Sequence, residues 1–114
     1  MRFLFLIHGD TEAEAALSAD ARRAIVGEYI AYSGMLRERG VYVHGEALAG
    51  AEGAAVVRPG DEPLVTDGPF AETKEGVGGF YVVECESRDD AIALAAKIPR
   101  GPGAAVEVLT IAEL

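Results

Sequence analysis

Met1-Arg2-Phe3-Leu4-Phe5-Leu6-Ile7-His8 is the stretch whose reading constrains the rest of the chain. In an extended strand successive side chains alternate faces, so Phe3, Phe5 and Ile7 point one way and Leu4, Leu6 and His8 the other. Both faces are apolar. A strand of that kind is predicted in the middle of a sheet, covered on both sides. One basic residue and a short apolar run with no small-residue cleavage site after it read as a first strand, not a signal peptide. Gly9-Asp10-Thr11 ends the strand, and residues 11–17, rich in Ala and Glu, read as either a loop or a short helical turn.

A sheet centred on this strand needs helices to cover it, and the next segment supplies one. Ser18 is a suitable N-cap and Asp20 sits in the first turn, where the helix dipole favours an acid. Ile25, Tyr29, Tyr32 and Leu36 recur with the helical period, and Val26, Ile30 and Met35 broaden the stripe. Arg37 and Arg39 suit the C-terminal end, and Gly40 is placed to stop the helix in the left-handed region.

Val41 to Leu48 read as a second strand, with Val41, Val43, Gly45 and Ala47 on an apolar face and Tyr42, His44, Glu46 and Leu48 on the other. Ala54 to Arg58 and Pro63 to Thr66 then read as a short hairpin turning at Pro59-Gly60-Asp61-Glu62. Phe80-Tyr81-Val82-Val83-Glu84-Cys85-Glu86 is the third main strand. Ser87 caps a second helix with Asp89 and Asp90 in its first turn and Ile92, Leu94, Ala95 and Ile98 on its buried side, ending at Pro99. Ala104 to Ile111 form the last strand. The order predicts an α+β fold of the ferredoxin-like βαββαβ type with an inserted hairpin, its antiparallel sheet carrying two helices on one face. The other face, left without helices, includes half of the first strand and needs a partner. A homodimer, two sheets face to face as a dimeric α+β barrel with a pocket beside each sheet, is the economical answer.

The 114 residues make one domain with room for a core, and the net charge is −9. The Lys and Arg residues are scattered, which disfavours a partner with an anionic backbone such as DNA or RNA. No run approaches the ~20 apolar residues of a membrane span. The single cysteine, Cys85, rules out an intramolecular disulfide and a cysteine-based zinc site, and fits a cytoplasmic protein.

Between the hairpin and the third strand lies Thr66-Asp67-Gly68-Pro69-Phe70-Ala71-Glu72-Thr73-Lys74-Glu75, where turn chemistry, charge and aromaticity are concentrated. With Phe3-Leu4-Phe5-Leu6-Ile7, Gly9-Asp10, Arg39-Gly40, Gly78-Gly79-Phe80-Tyr81, Asp90-Ala91 and Ile98-Pro99, this segment resembles the YCII-related family, in particular the subfamily named after its Asp-Gly-Pro-Phe motif. The resemblance covers nearly the whole chain and implies a ferredoxin-like dimeric α+β barrel. Broader relatives of that family use a His-Asp pair in the barrel cleft. This chain has no histidine between Ser18 and Arg39 and carries Lys97-Ile98-Pro99 where the Asp-Pro would stand, so the pair does not carry over. The resemblance also implies an association with extracytoplasmic-function sigma factors, which makes a sigma factor a candidate partner.

The residues themselves offer several candidate sites. Asp67 is a candidate general base, with Lys74 orienting an anionic ligand group and Glu72 and Phe70 beside it. The plainer reading is a turn in which Asp67 bonds backbone amides, Phe70 fills a core gap and the remaining charges pair at the surface. His44 and Glu46 share a strand face and are a candidate acid–base pair, with Tyr42 next to them. His8 either points into the pocket or caps its strand, and Tyr32, on the helix stripe, is core unless its hydroxyl reaches the ligand. His8 and His44 with a carboxylate make a weak metal set, with no short ligand motif behind it, and no metal or cofactor is expected. Two functions compete. One is a small-molecule binder, with or without acid–base catalysis, in a dimer pocket. The other is a non-catalytic interaction module.

Overall fold

The computed structural model describes residues 1–50, 52–68 and 75–114. Its elements are β1 (Arg2–Asp10), α1 (Thr11–Ala15), α2 (Ala19–Glu38), β2 (Tyr42–Ala47), β3 (Ala55–Arg58), β4 (Leu64–Asp67), β5 (Glu75–Glu84), α3 (Arg88–Ala95) and β6 (Ala105–Thr110). Four strands form one antiparallel sheet in the order β2-β5-β1-β6, and β3 and β4 form a separate hairpin. This is the ferredoxin-like arrangement with its inserted hairpin, and β1 is an inner strand as its two apolar faces require.

The helix-covered face is set by the register. Phe3 lies opposite Val83 and Thr110, and Phe5 opposite Tyr81 and Val108. Phe3, Phe5 and Val83 are fully buried and pack with Tyr32 and Leu36 of α2 and Ala91, Leu94 and Ala95 of α3. Each such large side chain contributes about 1.5–3 kcal/mol by leaving water. The termini of α2 follow the local chemistry. The Ser18 hydroxyl accepts from the Ala21 amide at 3.1 Å, and Gly40 takes a φ of 71° just beyond the last turn. The Ser87 hydroxyl likewise accepts from the Asp90 amide at 3.1 Å to start α3. Residues 11–15 do form a helical turn, started by Asp10, whose carboxylate accepts from the Glu12 and Ala13 amides, both at 3.1 Å.

Three sequence-based expectations change. First, β2 does not alternate evenly: Tyr42 pairs with Val83 but His44 pairs with Val82, so one extra residue is accommodated between them. Tyr42 therefore shares the helix face with Gly45 and Ala47, while Val43 is 44% exposed. His44 and Glu46 stay together on the opposite face, without Tyr42. Second, Met35 packs on the core but Val26 and Ile30 are 57% and 69% exposed, so the buried stripe of α2 is narrower than its apolar pattern. Third, Ile92 is not on the buried side of α3 but 39% exposed.

The open face of the sheet has a definite pattern. Val82, Leu4 and Leu109 form one row across it, with His44 at the β2 end. Phe80 and Leu6 form the next, between Glu46 and Glu107. The hairpin stands apart from this body. Every residue of its two strands except Val56 is exposed, and the molecule extends 46 × 44 × 18 Å.

Candidate functional site

The helix face of the β2–β5 side is built from small residues. Gly45, Ala47 and Gly79 stand where larger side chains would meet α2. The result is a cleft of about 640 Å³ between α2 and the sheet, with α1 at one end. Its α2 wall is Val26, Tyr29, Ile30 and Ser33, and Tyr81 and Tyr42 rise from the sheet opposite. The exposure of Val26 and Ile30 is thus that of a cleft lining.

The polar groups of the cleft are ordered. The Ser33 hydroxyl and the Tyr81 phenol are hydrogen-bonded at 2.7 Å, tying α2 to β5. Tyr81 also meets Tyr32 edge-on at 5.3 Å between ring centroids, and Tyr42 at 6.4 Å. The Arg37 guanidinium lies 4.3 Å from the centre of the Tyr42 ring, a cation–π contact at the mouth. Burial pushes the Tyr29 phenol from its ordinary 10.0 up to about 12, with Tyr81, Glu14 and Glu28 adding to the rise. Tyr29 is therefore a neutral hydroxyl donor at physiological pH. The cleft can hold an apolar or aromatic body between Val26, Ile30 and the tyrosine rings and can hydrogen-bond its polar end. Arg37 supplies positive charge at the rim and Glu14 negative charge near α1.

The sequence-predicted residues scatter around this cleft. Tyr42 lines it directly. His8 and Glu46 belong to its wall, but the strand register turns Glu46 to the open face, and His8 Nε2 lies 3.1 Å from Glu107 Oε1 across that face. His44 is exposed on the open face, its ring centroid 5.8 Å from that of Phe80. Tyr32 is core: its hydroxyl donates to the Leu94 carbonyl at 2.7 Å, and burial raises its pKa well above the usual phenol range. Asp67 ends β4 on the hairpin and is exposed, and the Gly68 amide donates to the Ala54 carbonyl at 2.7 Å. Phe70, Glu72 and Lys74 lie outside the described residues.

Cys85 is half-buried, its thiol donating to the Ser87 carbonyl at 3.6 Å, and burial raises its pKa. Among the described residues no group of three or more His, Cys, Asp and Glu is placed to hold a metal ion, and no helix is long and apolar enough to cross a membrane. Sequence reasoning missed Ser33, Arg37 and Tyr81 as site residues. A signal was available in Gly45, Ala47 and Gly79: small residues facing a helix mark a place where the helix cannot close on the sheet.

A model of the YCII-related domain matches residues 1–114. An uncharacterized protein of Rhizobium meliloti (strain 1021) is 32% identical over 93 residues, covering 81% of this chain and 75% of that one. The match along its whole length shows that the chain belongs to the YCII-related domain family.

Proposed function

We propose that the protein binds a small molecule in the cleft between α2 and the β2–β5 side of the sheet, and does so as a homodimer. The carrying observation is the hollow itself: an apolar trough over Gly45, Ala47 and Gly79, with the hydroxyls of Ser33, Tyr29 and Tyr81 along it and Arg37 at its mouth. Concave apolar sites with a few ordered polar groups are the usual form of ligand pockets. Any acid–base work draws on these hydroxyls and on Glu14.

The dimer is supported by the pattern of that face. Val82, Leu4, Phe80 and Leu6 form an apolar centre, and His44, Glu46, Glu107 and His8 surround it. An apolar centre inside a polar rim is the anatomy of a protein–protein interface.

The binding reading is tested with ¹⁵N-labelled protein and a library of small aromatic and aliphatic acids, amines and alcohols. Binders should shift the amides of Ser33, Gly45 and Gly79, and Ala47→Phe, which fills the trough, should abolish those shifts. Shifts confined to other surfaces, or binding unaffected by Ala47→Phe, would refute it. Sedimentation velocity tests the dimer, with Leu6→Lys expected to dissociate it.

A second reading, a non-catalytic interaction module for a protein such as a sigma factor, draws on the hairpin, where Val57, Leu64 and Val65 are 56%, 55% and 61% exposed. A pull-down that recovers a sigma factor with the intact chain and loses it with Val57→Lys and Val65→Lys would favour this reading.

A further inference from the structure

The hairpin and the α3–β6 side of the molecule both expose apolar side chains, and their chemistries match. The hairpin exposes Val57, Leu64 and Val65 along its strands and carries Asp61 and Glu62 in its turn. A two-stranded hairpin on its own is marginally stable in water. At the opposite edge of the sheet, a groove of about 500 Å³ runs between α3 and β6. Its floor includes Ile92, Ile98, Val106 and Val108, and Arg88 and Arg100 are both part of its lining. Both arginines are exposed, and neither makes an ion pair among the described residues. Among the described residues no acidic side chain lines the groove. In a chain of net charge −9 it is a local positive site on an apolar trough.

We propose that the β3–β4 hairpin of one copy docks in the α3–β6 groove of a second copy, with Asp61 and Glu62 against Arg88 and Arg100. The inference rests on the homodimer reading above and specifies how the two copies hold each other. Consider two sheets stacked on their open faces about a two-fold axis parallel to the strands. That operation places the β2 edge of one over the β6 edge of the other. The hairpin leaves the body from the end of β2, so it emerges at the edge that lies over the partner's β6, and symmetry makes the contact twice. Stacked sheets lie about 10 Å apart, and a four-residue strand spans about 13 Å. An arm of that length crosses the gap between the two sheets and reaches the partner's β6 edge. Both ends of the contact combine apolar burial with charge pairing, and both are satisfied by a single species of chain.

A double variant, Asp61→Cys with Arg100→Cys in a Cys85→Ala background, tests the docking in a glutathione buffer. The expected product is a covalent dimer on a non-reducing gel, with each single-cysteine variant remaining monomeric on that gel. A second measurement does not depend on cysteine geometry. Arg88→Glu with Arg100→Glu should raise the dimer Kd at least tenfold at low salt, and adding Asp61→Lys and Glu62→Lys to the same chain should restore it.

An internally cross-linked single chain would overturn the proposal. So would a dimer, intact by sedimentation, that neither cross-links nor responds to the charge reversals; that result leaves the open-face dimer standing. A chain that stays monomeric at all concentrations would overturn both.

Discussion

Tyr81 occupies the space that any side chain at Gly45 would need. A Cβ at position 45 would stand 2.6 Å from Tyr81 Cδ1 and 2.9 Å from Cε1. The two residues face each other across the β2–β5 pair, on the side covered by α2. A single missing side chain on β2 thus lets the Tyr81 ring lie over the strand, and from there its hydroxyl reaches Ser33.

Gly45→Ala should therefore act on both stability and the cleft. The Phe80 carbonyl oxygen, 3.2 Å away, blocks retreat on the other side. Overpacking of this kind costs about 1–3 kcal/mol. Denaturant unfolding should show that loss, and the Ser33 amide should shift as the Tyr81 hydroxyl is displaced.

The Ser33–Tyr81 hydrogen bond is suited to a double-mutant cycle. Ser33→Ala and Tyr81→Phe should each destabilise by about 1 kcal/mol, and the double variant by less than the sum. Additive losses would mean that the two hydroxyls do not depend on each other. Ligands that use these hydroxyls should lose affinity in both single variants.

Two glycines of α2 are predicted to be improvable. Among the described residues, a Cβ at Gly27 or Gly34 would meet nothing within 4 Å beyond its chain neighbours and the backbone of its own helix, and neither glycine has a positive φ. Replacing each by Ala should raise stability by about 0.5–1 kcal/mol through reduced backbone entropy and better helix propensity. Thermal unfolding of the single and double variants measures this directly.

Alkaline titration should report on Tyr29. Its folded pKa of about 12 lies above its ordinary 10.0, so at high pH the folded state holds a proton that the unfolded state has lost. Its contribution to stability is complete below pH 10 and falls away as the pH rises towards about 12. Tyrosinate absorbance should show late titration from Tyr29 and Tyr32, and Tyr29→Phe should remove the Tyr29 share. The same substitution should flatten the alkaline fall in stability.

Much of this architecture could be read from residue order. The two-sided apolar run from Phe3 to Ile7 required an inner strand, and β1 is one. Ser18, Ser87 and Gly40 marked helix ends correctly because capping is local chemistry between residues a few positions apart. The candidate site was harder to see. Asp67, His44 and Glu46 attracted notice as reactive side chains, yet Asp67 lies on the hairpin and the other two on the open face. The extra residue between Tyr42 and His44 moved Tyr42 to the other side of the sheet, and a register shift depends on how two strands meet.

The sequence by itself determined the elements, their order, their caps and the central place of β1, since these follow from periodicity and from hydrogen bonds between near neighbours. Only the tertiary structure decided that Ser33 on α2 and Tyr81 on β5, 48 positions apart, would share a hydrogen bond over Gly45. Strand register and the distance between a helix and its sheet are set by the summed packing of many side chains, and no local pattern carries that sum.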